Sequence, residues 1–181
     1  MKLFIASDIH GSAACCSRMI EAAEREGAGS ILLLGDILYH GPRNDLPESY
    51  APKEVIAMLN PLKERLMCVR GNCEAEVDQM VLEFPVLADY ALVTDGKAKI
   101  YATHGHIYNE ENPLPMPEGS VLLCGHTHVP ACRERDGFTY MNPGSVSIPK
   151  EGSVRSYMIY EEGVFTWHDL LTGEIYDRRE I

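Results

Sequence analysis

Phe4-Ile5-Ala6-Ser7-Asp8-Ile9-His10-Gly11 reads as a buried strand that stops at a small turn and then presents an acid and an imidazole. Four more stretches repeat the arrangement. Ile31-Leu32-Leu33-Leu34 leads into Gly35-Asp36, and Met67-Cys68-Val69-Arg70 leads into Gly71-Asn72-Cys73. Ile100-Tyr101-Ala102-Thr103 leads into His104-Gly105-His106, and Val121-Leu122-Leu123-Cys124 into Gly125-His126-Thr127-His128. Strands of an α/β sheet deliver the residues at their carboxyl ends to a shared edge, and ligands bind just outside it. Five such endings would gather two Asp, one Asn and up to five His in one place. Oxygen donors mixed with imidazoles suit Mn²⁺, Fe²⁺, Zn²⁺, Ni²⁺ or Co²⁺ better than Ca²⁺ or an iron–sulfur cluster.

Taken singly, these pieces say little. Asp8-x-His10 and Gly35-Asp36 also read as ordinary turns with an Asx cap, and Gly71-Asn72 as a turn in which Asn adopts a left-handed backbone. The two His-x-His pairs carry more, since residues two apart face the same way on an extended chain. The weight lies in the combination, because each element comes after an apolar run and each bears a metal-ligating residue type.

Between these stretches the first half alternates strand and helix. Ser12 is placed to cap a helix running to about Glu26, with Ala14, Met19, Ile20 and Ala23 at near-helical spacing. A polar, Pro-rich segment from Tyr39 to Pro52 is too long for an ordinary strand-to-helix turn. Next comes a helix over Lys53–Arg65, which Pro61 should kink or shorten. The second half turns to hairpins. Asp95-Gly96, Asp136-Gly137 and Glu161-Glu162-Gly163 each separate two strand-like runs. The change from strand–helix alternation to hairpins predicts a mixed sheet or two packed sheets in a single domain over 1–181.

Composition bounds the function. With 27 acidic and 16 basic residues the net charge is −11, which argues against nonspecific nucleic-acid binding. No apolar stretch approaches a membrane span. The six cysteines form no C-x-x-C pair, and Met1-Lys2-Leu3 runs straight into the first strand. A cytoplasmic protein with reduced thiols is expected.

Asp8-x-His10, Gly35-Asp36, Gly71-Asn72, His104 and Gly125-His126-x-His128 together resemble the signature of the calcineurin-like metallophosphoesterases in order and spacing. More narrowly, Gly35–Asn44, Gly71–Glu74 and Asn142–Lys150 are similar to the small YfcE-type phosphodiesterases of bacteria and archaea. The likeness spans essentially the whole chain. It implies an α/β (α+β) fold, a four-layer αββα sandwich of two packed mixed β-sheets flanked by helices. It also implies two divalent metal ions, with Mn first and Fe, Zn, Ni or Co as alternatives. Carried over by position, Asp8, His10 and His128 hold one metal, Asn72, His104 and His126 the other, and Asp36 bridges both. The activity implied is hydrolysis of a small phosphodiester by a metal-bridging hydroxide, and a homodimer or homotetramer is expected.

One departure stands out. Many members of the family have histidine after Gly-Asn, where it is thought to protonate the leaving group, and here the residue is Cys73. The thiol is expected to line the site and tune specificity without acting as a nucleophile, with packing as the competing reading. His106 is expected beside the metals or facing substrate, as Asn72 is from its ligand position. His40 and Arg43, in the long loop, are candidates for contacting a substrate phosphate, although Arg43 has Asp45 and Glu48 as rival partners. Two alternatives stay open: a phosphomonoesterase or phosphoprotein phosphatase of the same fold, and a non-catalytic scaffold of the retromer-subunit type. Good donors at all seven ligand positions favour an enzyme.

Overall fold

A computed structural model describes residues Met1–Ile181, the whole chain. The first sheet is built on β1 (Lys2–Ala6), β2 (Ser30–Leu33) and β3 (Leu66–Cys68), which run parallel. Beyond β1 it continues antiparallel through β9 (Ser156–Glu161), β10 (Val164–Asp169) and β11 (Ile175–Glu180), in the order β11-β10-β9-β1-β2-β3. The second sheet is made of β4 (Ala91–Thr94), β5 (Lys99–Ala102), β6 (Ser120–Leu123), β7 (Ala131–Arg135) and β8 (Phe138–Asn142), in the order β4-β5-β6-β8-β7. Here β5, β6 and β8 are parallel, and β4 and β7 are antiparallel edges. The chain thus has the two packed mixed sheets that its pattern predicts.

Period-2 alternation sorts each strand between two cores. In β1, Phe4 and Ala6 face the helices, while Leu3 and Ile5 face the second sheet. Ile31 and Leu33 of β2, and Tyr157 and Ile159 of β9, join the first core; Leu32, Met158 and Tyr160 join the second. A strand buried on both faces reads as the continuous apolar run seen in the sequence. The inter-sheet core also holds Trp167, whose indole N–H donates to the Asn142 carbonyl at 2.8 Å.

Helix α1 (Ala13–Arg25) starts where expected, with the Ser12 hydroxyl accepting from the Cys15 N–H at 3.2 Å. That hydroxyl donates to the Glu48 carbonyl at 2.6 Å, so the cap also ties down the long loop. The helix expected over Lys53–Arg65 is α2 (Pro52–Leu59) continued by a 3-10 segment, Asn60–Arg65, a change that falls beside Pro61. A short helix, α3 (Glu76–Val81), and the strand β11 are additions to the elements expected from sequence. No helix comes after Val81. The outer face of the second sheet, centred on Leu122, Cys124 and Tyr140, therefore has Met116 of the loop before β6 packed on it where the sandwich would have a second helical layer.

Candidate metal centre

All five parallel strands that carry candidate ligands end at one edge, and the loops there bring the seven ligand positions together. Asp8 Oδ1 lies 3.6 Å from His10 Nε2 and 3.3 Å from His128 Nε2. Asp36 Oδ2 lies 3.7 Å from His10 Nε2 and 3.5 Å from His104 Nε2. On the far side, His104 Nε2 is 3.1 Å from Asn72 Oδ1 and 3.3 Å from His126 Nδ1. Asp36 thus stands between two donor groups, Asp8/His10/His128 and Asn72/His104/His126.

Neighbouring backbone sets each donor's direction. His10, His104 and His128 present Nδ1 to the carbonyls of Tyr39, Leu34 and Ile148 at 2.8, 2.6 and 2.6 Å. An Nδ1–H donated there leaves the Nε2 lone pair free for a metal. The other oxygen of each carboxylate is also held: Asp36 Oδ1 accepts from the Cys73 N–H at 2.9 Å, and Asp8 Oδ2 from the His126 N–H at 3.1 Å. The Asp8 carbonyl accepts from the hydroxyls of both Ser145 and Ser147, at 2.9 and 2.8 Å. The Asn142-Pro143-Gly144-Ser145 turn therefore braces the backbone of Asp8 at this edge.

Five of the eight non-glycine residues with positive φ are candidate ligand positions: Asp8, His10, Asp36, His126 and His128, at φ between 50° and 66°. Each costs on the order of 1–3 kcal/mol and persists only where its surroundings over-determine it. Gly71 shows the tightness of the packing, because a Cβ there would overlap Asp36 Oδ1 and lie 2.5 Å from the Asp36 nitrogen.

The donors are short of protein partners. His10 Nε2 and His128 Nε2 face each other at 3.2 Å, and the buried Asp8 Oδ1 has no hydrogen-bond partner. Lone pairs converging in this way fit divalent cations. In the metal-free protein, protons take part of that role. Burial opposes charging of His104, but Asp36 and Asp8 outweigh it and raise its pKa to about 9. Burial and the His104 charge push His126 down to about 4. Burial works against ionisation of Asp8 too, yet the imidazoles of His10 and His128 hold its carboxyl well below the usual range.

Glu74 stands out in the structure but not in the sequence, where it is only the neighbour of Cys73. Its buried carboxylate accepts from the Asp36, Ile37 and Gly71 N–H groups at 2.8, 2.7 and 2.5 Å. It ties the loop carrying Asp36 to the loop carrying Asn72. Burial and the Asp36 charge raise its pKa to about 7. Cys73 lines a crevice of about 40 Å³ with Asp36, Asn72, His126, Arg43 and Lys150. Burial and the Asp36 and Glu74 charges drive its thiol pKa upward, so it stays protonated at neutral pH.

Arg43 reaches the crevice, while Glu48 pairs instead with Arg18 and Arg155 at 3.2 and 3.5 Å. His40 is not among the crevice residues. Its ring packs against Tyr39 and Tyr50, and its carbonyl accepts from Asn44 Nδ2 at 2.8 Å, so it helps to fold the loop. His106 lies beside the ligands, its ring centroid 5.4 Å from that of His104, and lines a separate recess. Lys150 ends the Asn142–Lys150 stretch. Nothing local in the sequence marks it as a crevice residue, because the approach is made by a distant loop.

The sandwich, the ligand set and a match of residues 1–163 to the calcineurin-like phosphoesterase superfamily domain show that the chain belongs to that superfamily. Phosphodiesterase YfcE of Escherichia coli strain K12 is 45% identical over 166 residues, 92% of this chain and 90% of that protein. The solved structure of Yfce, described as a phosphoesterase from E. coli, superimposes with a TM-score of 0.97 at 43% identity over the full length of both chains. Entamoeba histolytica Vps29 complexed with Zn²⁺ shares the fold, with a TM-score of 0.64 at 20% identity over 99% of each chain.

Proposed function

We propose that this chain is a metal-dependent phosphodiesterase acting on small phosphodiesters. Asp8, His10 and His128 hold one divalent ion, Asn72, His104 and His126 hold a second, and Asp36 serves both. The observation that carries the reading is the position of Asp36 Oδ2 between His10 and His104. Mn²⁺ is the proposed preference within a donor set that other borderline metals also suit. Bound ions supply Lewis acidity toward the phosphoryl oxygens and a water acidified toward neutrality.

The chain's own groups do the rest. Asn72 contributes a neutral oxygen, which keeps the centre net positive toward an anionic phosphate. Arg43 and Lys150 add cationic charge at the crevice, and the Arg43 fork matches phosphate geometry. Cys73 lines the crevice wall beside Asp36 and Asn72 and tunes specificity there without acting as a nucleophile. His106 contacts the substrate beside the metals, outside the ligand set. Identity to a relative named as a phosphodiesterase supports the diester over the monoester.

The test is hydrolysis of bis(p-nitrophenyl) phosphate by metal-free protein reloaded with Mn²⁺, with p-nitrophenyl phosphate as monoester control. Metal-dependent diester turnover that is lost in Asp36→Ala is expected, with a fall of at least about a hundredfold. Faster monoester turnover would redirect the assignment to a phosphomonoesterase. Metal binding without turnover of either ester would favour a scaffold.

A further inference from the structure

Two openings flank the ligand cluster, and they differ in size and sign. The crevice of about 40 Å³, with Arg43 and Lys150, has room for little beyond a phosphoryl group. The ester arms of a substrate must lie elsewhere. On the other side of His126, a recess of about 430 Å³ opens between His106, Tyr140, Glu110, Glu111 and Glu151. That volume falls in the range of small-molecule sites.

Charges in the recess are unevenly compensated. Glu110 is engaged by Arg133 at 2.7 Å and by Arg135, and the Arg133 guanidinium lies 5.8 Å from the centre of the Tyr140 ring. Glu111 and Glu151 are exposed at the recess and form no ion pair. The His106 ring lines the cavity and lies beside His104, with ring centroids 5.4 Å apart. The recess therefore combines an imidazole and an aromatic wall next to the candidate metal centre with unpaired carboxylates beside them.

We propose that this recess receives one ester arm of the diester and favours arms bearing hydroxyl or ammonium groups over arms bearing a further anion. The inference rests on the phosphodiesterase reading and narrows its substrate class to diesters of amino or polyhydroxy alcohols.

The test uses three p-nitrophenyl phosphodiesters whose second arm is 2-ammonioethyl, ethyl or 2-carboxyethyl. The Mn²⁺-loaded wild type is expected to favour the ammonium arm over the carboxylate arm by about tenfold in kcat/KM at low salt. The ratio should shrink toward one at about 0.5 M salt, as screening demands. Glu111→Gln/Glu151→Gln should flatten it, and Glu111→Lys/Glu151→Lys should reverse it. Equal rates in wild type, or a preference that survives both double variants, would overturn the assignment. Calorimetric binding of 2-ammonioethyl phosphate against 2-carboxyethyl phosphate gives a readout without turnover. A binding preference in a protein that hydrolyses no diester would sink the phosphodiesterase reading and leave the recess assignment standing. Equal binding, with hydrolysis intact, would do the reverse.

Discussion

Glu74 accepts three backbone N–H groups from two loops, so its carboxylate sets the spacing of Asp36 and Asn72. Glu74→Gln places an amide donor against those donors. We expect the fold to weaken by about 1–3 kcal/mol and Mn²⁺ affinity to fall by about tenfold or more. Thermal melts and calorimetric titration measure the two, and an unchanged affinity would contradict the positioning role. His104 gives a pH prediction. Its pKa of about 9 in the metal-free protein means that the ring is protonated at pH 7.5, while a metal takes only the neutral imidazole. Loading should therefore release at least one proton near neutral pH, with the share from His104 shrinking as pH rises past 9. Calorimetry in two buffers of different ionisation heat reads that number directly. The candidate ligand residues are legible in sequence because each comes after an apolar run in a fixed order. Glu74 is not, because a buried acid whose partners are backbone amides leaves no mark in sequence beyond its own letter.

At the scale of elements, Ser12 joins two structures. It caps α1 and donates to Glu48 in the segment between β2 and α2 that also carries Arg43. Ser12→Ala is expected to cost about 1–2 kcal/mol, lowering Tm by a few degrees. Because the loop loses an anchor, KM for a diester should rise more than kcat falls. Equal changes in the two would separate the cap from substrate access. The three hairpins and the break at Pro61 are readable, since turn residues and a missing N–H act locally. The strand expected from Val86 begins instead at Ala91. Val86 is buried in the core with Leu82 and Phe84, and its N–H donates to Gln79 Oε1 at 3.0 Å. A side chain in α3 thus supplies the partner that a strand would have supplied. Neither α3 nor β11 has the pattern of a core element: α3 exposes Val77, Met80 and Val81, and β11 is exposed at almost every position.

Across the whole molecule, the doubly buried strands make the two-sheet arrangement readable, whereas the loop-covered outer face of the second sheet is not. An apolar residue such as Leu122 has the same pattern under a helix or under a loop. No helix is long and apolar enough to cross a membrane. The inter-sheet core also links distant parts of the chain. Trp167 holds the Asn142 carbonyl, and Asn142 Nδ2 in turn donates to the Gly125 carbonyl at 2.7 Å, next to the candidate ligand His126. The chain's only tryptophan is therefore linked by two hydrogen bonds to the edge that carries the candidate ligands, and its emission is expected to follow metal loading. Titrating diamagnetic Zn²⁺ into metal-free protein should change indole emission in step with calorimetric loading, and Asn142→Ala should decouple the two signals. A light signal that stays flat while heat reports binding would mean that this link is slack. If it moves, metal occupancy can be followed in real time without a label.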